Sequence, residues 1–522
     1  MTRTVLRGGY VIKAGAEPQR ADLALDGGLI AMIGTVHTEP DDVVVDCADR
    51  LIMPGLIDTH SHADGQVFDE EVAFALLRQG VTTVIAGQDG VSFAPGDGLF
   101  ASRYFAAING THPSYVGASV ADLLSTYDNT TPINVGYLVP AGTVREMIMG
   151  LSPEPATAEQ INAMQEVVSK GMVDGALGLS TGLDYVPGLF ADAEEITALC
   201  RPVAAAGGIY VTHMRGGYEE NSAAGLDEVI NICAGAGVRG HVSHFHARSE
   251  MITELVEQAN TTVDLTFDSY PYSRGCTLLG MLLLPPELLR RGLDVCASQL
   301  LDPQLRRETA AGWVDRLQAR ADMGPQWADH VRFAHIAASG FDWAHGLSVA
   351  EAARTVGTTP GELGLQVLAE SGLEVSVVMA TPVERSDEEM AVHLGHPRHM
   401  GGSDGIFIGR SPHPRGWGAF GRYLDVFVRR GDLSWGQCVE RFSAAPARRF
   451  GLGRRGSLQP GAVADVIVVD PQAVQVRASY AEPRRPMEGI DDVWVSGVRV
   501  LDAGRLVSRS AGRGLRHSRL EI

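Results

Sequence analysis

The sequence predicts an α/β fold: a (β/α)8 TIM-like barrel with a small β-sandwich domain formed from both chain ends and a helical insertion between strands 7 and 8. Three observations support this prediction. Both ends of the chain are short β-like runs broken by turn residues, the middle alternates strand and helix patterns, and no glycine-rich phosphate-binding loop follows the first strand of the middle region. The missing loop favours a closed barrel over a doubly wound sheet. A chain of 522 residues is also long enough for two or three domains.

The two ends of the chain share one character and are predicted to form one small domain. Residues 26–28, Asp-Gly-Gly, are typical of a β-hairpin turn, and they lie among short apolar runs. Near the other end, residues 466–470 and 493–500 show the same strand-like pattern. We therefore assign residues 1–55 and 451–510 to the two parts of a β-sandwich.

The middle of the chain, residues 56–450, is predicted to be the barrel. Its first strand lies at Ile57 and its last near Met400, with strand-like runs between them at 81–86, 133–138, 175–180, 208–212, 239–243 and 262–267. Helical patterns separate these runs. Between Thr157 and Lys170 the apolar residues recur at helical spacing, and Asp192 begins the next helix as a capping residue.

Two segments interrupt this pattern. Residues 281–347 contain two adjacent prolines and a charged helical stretch, and they are predicted to form the helical insertion, at the end of the barrel where active sites lie. The last residues, 511–522, are basic and are predicted to be a mobile tail.

Composition excludes several classes of partner. The formal net charge is −20, with no basic patch before the tail, which argues against nucleic acid or an anionic membrane as the main partner. The six cysteines form no C-x-x-C pair, so we expect reduced thiols and a cytoplasmic protein. No run of 18 apolar residues is present, and the first residues resemble a strand more than a leader.

The most informative motif is the histidine pair at the end of the first predicted barrel strand. His60 and His62 lie two residues apart, so on a strand they project from the same face. Asp58 and Asp64 add carboxylates nearby, and two imidazoles aimed at one point are suited to a divalent metal. The alternative is two solvated histidines after a strand.

Four more residues at predicted strand ends extend this pattern. Asp89, His213, His244 and Asp404 follow strands two, five, six and eight, and a barrel brings these ends to one rim. Taken singly, each histidine could be a hydrogen-bonded surface residue and each aspartate a turn former. Six such residues at five strand ends together predict a metal site.

Nine motifs, distributed nearly from end to end, carry a family resemblance. They are MPGLIDTHSH (53–62), GVTTV (80–84), GLSTGLDYVPG (178–188), GGIYVTHMR (207–215), SH (243–244), DSYPY (268–272), GSDG (402–405), HPR (413–415) and LQPGAVAD (458–465). With these motifs the chain resembles the amidohydrolase superfamily and, within it, the N-acyl-D-amino-acid deacylase (D-aminoacylase) family.

The resemblance implies a zinc-dependent hydrolase that cleaves a linear amide bond, most simply an N-acyl-D-amino acid. It implies His60, His62, His213 and His244 as ligands of one or two zinc ions, and Asp404 as the general base. Asp89 stands where many relatives have a metal-binding cysteine, so we expect it to be a further ligand. Because oxygen is a harder ligand than sulfur, another divalent metal is an alternative to zinc.

Two other positions depart from the family pattern. His246 stands where relatives carry a lysine associated with the substrate carboxylate, and residues 140–142 replace a Gly-His-Gly motif. Besides His246, the candidates for binding the substrate are Tyr185, Tyr272, Arg274 and Arg415, since arginine suits a carboxylate. The alternatives are structural ion pairs for the arginines and core packing for the tyrosines.

The same metal site leaves other activities open. A hydrolase of cyclic amides or dipeptides, or a deaminase, would use the same residues, because one site serves many amides. A non-catalytic barrel protein is a further alternative, against which the complete histidine set and Asp404 argue. The expected partner is a small-molecule amide, with the acyl group and side chain undefined by the sequence.

Overall fold

The amino-terminal strands belong to a sheet that both ends of the chain build. The structure, a computed structural model, describes residues 2–216, 219–319, 323–380 and 384–518. The strands are β1 (Thr4–Val11), β2 (Gln19–Asp26), β3 (Leu29–Gly34), β4 (Val43–Asp46) and β5 (Leu51–Pro54). The register of β1 against β2 shifts between Leu6 and Gly9, and Gly8 has a φ of 76°. This bulge lets β1 pair with β4 before it and with β5 after it.

The barrel begins directly after β5. Its first seven strands are β6 (Leu56–Asp58), β7 (Val81–Ala86), β8 (Asn134–Pro140), β9 (Gly178–Gly182), β10 (Ile209–His213), β11 (Arg239–Val242) and β12 (Leu265–Ser269), paired in parallel in that order. The helices among them are α1 (Glu70–Arg78), α2 (Leu99–Tyr104), α3 (Ala106–Asn109), α4 (Val120–Tyr127), α5 (Ala141–Met149), α6 (Ala158–Val173), α7 (Ala193–Ala205), α8 (Ser222–Ala236) and α9 (Ser249–Ala259). Almost every strand residue is buried, as expected for parallel strands covered by helices.

A large insertion follows β12. It contains strands β13 (Arg274–Leu278), β14 (Val331–Ile336) and β15 (Val375–Ala380), which form an antiparallel sheet in the order β13-β15-β14. Its helices are α10 (Leu279–Leu283), α11 (Pro286–Leu289), α12 (Leu293–Gln299), α13 (Pro303–Gln318), α14 (Trp327–His330), α15 (Val349–Val356), α16 (Pro360–Glu370) and α17 (Asp387–Leu394). The insertion was predicted as helical over 281–347. It is longer than that and includes a sheet, because valine-rich runs such as 375–378 form strands.

The eighth barrel strand closes the ring. Strand β16 (His399–Gly401) pairs in parallel with β12. On its other side, the Thr59 amide donates to the Gly401 carbonyl at 3.0 Å, and the Asp404 amide donates to the His60 carbonyl at 2.8 Å. The predicted eight-stranded barrel is therefore confirmed, and its first and last strands meet at the histidine motif.

The remaining chain returns to the first sheet. Helices α18 (Arg415–Arg422), α19 (Trp435–Val439) and α20 (Ala445–Arg449) lead to β17 (Val466–Val469), β18 (Ile490–Val495), β19 (Val498–Asp502) and β20 (Arg505–Leu506). Strand β17 pairs antiparallel with β5, which joins both ends of the chain in one nine-stranded sheet. Leu6, Ile52, Val466 and Trp494 belong to the apolar core of this sheet.

The predicted mobile tail is wrong for residues 511–518. Strand β21 (Gly514–Leu515) pairs in parallel with β8, and the His517 amide donates to the Gly175 carbonyl at 3.0 Å. The basic composition suggested solvation, but the backbone groups and Leu515 are bound at the barrel. Residues 519–522 lie outside the described part. Within that part, no helix combines the length and the apolar character needed to span a bilayer.

Candidate metal centre and active-site cavity

The carboxyl ends of five barrel strands bring six polar side chains together. Parallel strands in a barrel end at the same rim, and here the strands β6, β7, β10, β11 and β16 contribute. All six residues are at most 8% exposed. They are His60, His62, Asp89, His213, His244 and Asp404. The structure therefore gathers all the residues that the sequence proposed as metal ligands, together with the proposed general base.

Three of these residues have a left-handed backbone. The φ angle is 55° at Asp89, 34° at His244 and 49° at Asp404. Each such conformation in a non-glycine residue costs on the order of 1–3 kcal/mol, so it persists only where the surrounding structure enforces it. Its occurrence after three strands of the same barrel, β7, β11 and β16, indicates a functional rim.

Asp89 lies at the centre of the four histidines. Its carboxylate oxygens are 3.6 Å from the Nε2 atoms of His60, His62 and His244, and 4.0 Å from Nδ1 of His213. These distances are too long for hydrogen bonds. Two ligands about 2.1 Å from one tetrahedral ion lie about 3.4 Å apart, so the spacing is that of metal ligands.

Asp404 completes a second, overlapping group. Its Oδ1 lies 3.7 Å from His60 Nε2 and 3.4 Å from His62 Nε2. Both ring nitrogens of the buried His60 lack a hydrogen-bond partner among the described residues, and a metal ion would provide one for Nε2, which faces Asp89 and Asp404. The groups His60-His62-Asp404 and His60-Asp89-His244 can each hold an ion and share His60. The donor set thus fits one or two divalent ions.

Two further residues orient the histidines, and the sequence analysis did not identify them as site residues. Asn109 Oδ1 lies 2.9 Å from His62 Nδ1, which directs His62 Nε2 toward the carboxylates. Asp268 accepts from the His244 amide at 2.9 Å, contacts His241 Nε2 at 3.0 Å and lies 3.6 Å from His60 Nδ1. The signal for Asp268 was present, since it lies at the end of the seventh strand.

The electrostatics of the site keep its carboxylates ionised. Burial alone would raise the pKa of Asp404, but the Arg415 guanidinium, 2.8 Å away, and His244 hold it below the ordinary value. Asp89 behaves alike: burial would raise its pKa, but the charges of His60 and His244 beside its carboxylate lower it. For His62, burial opposes protonation, yet Asp404 and Asp89 raise its pKa to about 10. The cluster therefore attracts positive charge strongly.

The proposed substrate-binding residues fall into two groups. Tyr185, His246 and Arg274 line a cavity that opens onto the six-residue cluster. Tyr272 lies behind the cavity wall, where its ring packs against His413, and Arg415 is fully buried against Asp404. Neither side chain lines the cavity, although Arg415 Nε and Nη1 and the Tyr272 hydroxyl have no hydrogen-bond partner among the described residues. That these two residues bind substrate stays a prediction.

The cavity has lining residues that the sequence did not indicate. Tyr270 lines it and packs against His246 with tilted rings, whose centroids are 4.2 Å apart. Asp184 also lines it, with Oδ2 at 3.2 Å from His213 Nε2. Much of the remaining wall comes from the insertion, including Cys276 and Met281. The insertion thus forms part of the cavity whose other side is the metal cluster.

Fold and site together define a barrel hydrolase with a divalent-metal centre at the carboxyl ends of its strands. The chain belongs to the amidohydrolase family, whose model matches residues 43–501.

Three similar proteins refine this assignment. Two are from Alcaligenes xylosoxydans xylosoxydans. A D-aminoacylase is 29% identical over 98% of this chain and 97% of its own length, and an N-acyl-D-glutamate deacylase is 30% identical over 97% and 96%. The third is the crystal structure of an N-acyl-D-glutamate deacylase from Bordetella bronchiseptica, complexed with zinc and a phosphonate mimic of the tetrahedral intermediate. It is 29% identical, with a TM-score of 0.81 over 98% of this chain and 99% of that one.

Proposed function

We propose that this protein is a zinc-dependent deacylase that hydrolyses an N-acyl-D-amino acid to a carboxylate and a free D-amino acid. The observation that carries the proposal is the convergence of four histidines, Asp89 and Asp404 at the spacing of metal ligands. Similarity to D-amino-acid deacylases over nearly the whole chain supports the choice of bond and of enantiomer. The substrate is thus a small-molecule amide.

The proposed chemistry divides between metal and protein. A bound divalent ion supplies hydroxide near neutral pH and polarises the scissile carbonyl. Asp404 takes the proton of the attacking water and returns it to the leaving nitrogen, because its ionised carboxylate lies at the cluster. His60, His62, His213, His244 and Asp89 hold the metal. Zinc suits the four imidazoles, while the oxygen of Asp89 also suits harder divalent ions.

Arg274 is the best-placed group to bind the substrate carboxylate. It lines the cavity, and its ion pair with Glu384, 3.0 Å away, has side chains 28% and 64% exposed. An exposed pair of this kind contributes only about 0–1 kcal/mol, so a substrate carboxylate can replace Glu384 at little cost. Arg415, in contrast, is in a fully buried pair, and separating such a pair costs about 3–5 kcal/mol. Arg415 is therefore a positioning residue for Asp404.

The six cysteines support a reducing location. All are free, and five of them are buried. We propose a cytoplasmic protein on this basis.

The decisive variant is Asp404→Asn. Purified, zinc-loaded enzyme is expected to hydrolyse N-acetyl-D-amino acids and not their L-enantiomers. Asp404→Asn should lose at least about 100-fold in kcat, as expected when a general base is removed, and should retain its zinc. Released amine measures turnover, and elemental analysis measures zinc.

A matched control shows whether the loss of kcat comes from removing the general base or from removing any one carboxylate. Asp302→Asn changes an aspartate that caps α13 in the insertion and should leave kcat unchanged. If neither enantiomer is cleaved while hydantoins or dihydropyrimidines are, the deacylase assignment is wrong and a cyclic-amide hydrolase replaces it. If Asp404→Asn retains full turnover, the role of Asp404 is wrong.

A further inference from the structure

Part of the cavity wall is apolar and comes from the insertion. Met281 and Leu282 lie on α10, Met379 lies on β15, and Met323 precedes α14. We call these four residues the methionine wall. Methionine side chains are flexible and polarisable, so they adapt to apolar groups of different shape. The wall offers contact surface for an apolar group and no partner for a charged one.

The cations of the cavity are already engaged. Among its described lining residues, Arg274 and Arg385 are the two with permanently charged cationic side chains. Arg385 has a side chain only 5% exposed and forms an ion pair with Glu219 across the cavity, with Glu389 4.0 Å away. Because the Arg385 side chain is itself almost inaccessible, a substrate carboxylate replaces Glu384, which is 64% exposed, more readily than Glu219, which is 29% exposed. The cavity can therefore bind one substrate carboxylate well.

The negative groups of the cavity reinforce this limit. Asp184, Asp89 and Asp404 line it together with Glu219. A second carboxylate on the substrate would face either these groups or the methionine wall. Both placements are unfavourable, one through like-charge repulsion and the other through loss of hydration.

We infer that the substrate carries a single carboxylate and a large apolar group, and that this group packs on the methionine wall. The inference rests on the proposed function and narrows it to one class of N-acyl amino acid. The apolar group can be the amino-acid side chain or the acyl chain, since both present hydrocarbon. The methionine wall and the metal cluster line the same cavity, so an apolar group can pack on the wall while the scissile amide lies at the cluster.

The first experiment measures kcat/KM of the zinc-loaded full-length enzyme for two substrate pairs. N-acetyl-D-leucine against N-acetyl-D-glutamate tests the side chain, and N-hexanoyl- against N-acetyl-D-alanine tests the acyl chain. We expect the more apolar member of at least one pair to be favoured by about 10-fold or more. The favoured pair identifies the source of the apolar group.

Variants of the wall then locate the contact. Met281→Gln and Met379→Gln keep the side-chain length but add an amide, and each should raise KM for the favoured substrate by about 10-fold while kcat changes less than about twofold. The control, Met32→Gln, alters a methionine on β3 that is 44% exposed, and KM should not change.

Binding distinguishes failure of this inference from failure of the proposed function. Zinc-loaded Asp404→Asn is titrated calorimetrically with the same four compounds. Hydrolysis of N-acetyl-D-glutamate as fast as that of the apolar substrates overturns the inference but leaves deacylation standing. If no compound is hydrolysed, deacylation fails, and the titrations still decide the inference: tighter binding of the apolar members supports the wall, whereas equal binding or none overturns it.

Discussion

Asp89 shows how a single residue sets the charge of the metal centre. Its carboxylate is the acidic group that all four histidines approach. Together with Asp404, which is also paired with Arg415, it supplies the negative charge that a divalent ion held by imidazoles requires.

Asn109 provides a test of histidine orientation. Its Oδ1 accepts from His62, and its Nδ2 donates to the Val91 carbonyl at 3.1 Å. Asn109→Ala should weaken zinc binding by about 10- to 100-fold, because His62 loses the partner that fixes its ring. Competition with a chelator of known affinity measures the change.

The control is another fully buried asparagine, Asn134 on β8. It donates to the Thr82 carbonyl at 3.2 Å and does not contact the cluster. Asn134→Ala should reduce stability while zinc affinity stays as in the native protein. Equal loss of affinity in both variants would contradict the role of Asn109.

The residues of the site could be predicted from the sequence where local spacing reveals them. His60 and His62 are recognised from the chain alone, because two positions on one strand end share a face. Asn109 could not be identified in this way. It lies on α3, 47 residues from His62, and only the folded barrel brings the two together. The pairing of Arg415 with Asp404 could not be predicted for a related reason, because it depends on the helix that follows the eighth strand.

At the scale of elements, the segment between α3 and α4 is held by one histidine. His112 Nδ1 accepts from the amides of Ser114 and Tyr115, at 3.3 and 2.9 Å. The rings of Phe68 and Tyr127 pack against it, with centroids 5.1 and 5.5 Å away. Burial lowers the pKa of His112 to about 4, which favours the neutral form that can accept these bonds.

This histidine predicts a pH dependence of stability. An unfolded histidine titrates near pH 6.5, so between pH 6.5 and 4 the unfolded chain binds a proton that the folded chain does not. Stability should therefore fall as the pH drops through this window and level off below about 4. At pH 5 the loss from this group is about 1–2 kcal/mol, allowing for its partial exposure.

The variant His112→Asn isolates the effect, since asparagine keeps an acceptor and does not titrate. Urea unfolding at pH 7.5 and pH 5 is compared for the native protein and the variant. The variant should lose less stability than the native protein over this interval. An identical loss in both would show that His112 does not contribute.

Elements with strong local signals were predictable, and those defined by packing were not. Asp192 caps α7 as the sequence indicated, because capping depends on residues within one turn, and Thr157 caps α6 in the same way. Strand β15 was missed, because a short apolar run has the same pattern in a strand as in a buried helix. Its partners β13 and β14 are distant in sequence, so pairing could not be read locally.

At the scale of the whole molecule, the end of the chain closes the base of the barrel. Leu515 is 8% exposed and belongs to an apolar cluster with Ile57, Ile85, Leu138 and Leu177, which come from the strands or just before them. The pairing of β21 with β8 fixes it there. The end of the chain is therefore a structural part of the barrel.

Leu515→Ala tests this contribution. Truncation at a buried site should lower the free energy of unfolding by about 2–3 kcal/mol, measured by urea denaturation. Leu301→Ala, at a leucine that is 55% exposed in the insertion, should change it by less than about 0.5 kcal/mol. Zinc content should be native in both variants, since neither residue lies at the cluster. An unchanged stability of Leu515→Ala would mean that the chain end does not support the barrel.

The overall architecture was predictable because the barrel repeats one unit. Each strand-helix pair leaves its own periodic signature, and the metal motif marks the end of the first strand. The pairing of the last described residues with the barrel was not predictable. Strand β21 has only two residues, and the composition around it resembles that of a solvated tail.

The pairing of β5 with β17 has a consequence for biosynthesis. Leu51 lies opposite Val469. The ribosome therefore adds about 400 residues after β5 before its second neighbour, β17, exists. During translation the emerging amino-terminal strands expose an apolar edge that no nearby segment covers. Because β5 continues into the strand that bears the histidine pair, a nascent chain is expected to acquire metal only late, when the last strands have been made. Chaperones that shield exposed edges should therefore improve the yield of metal-loaded protein.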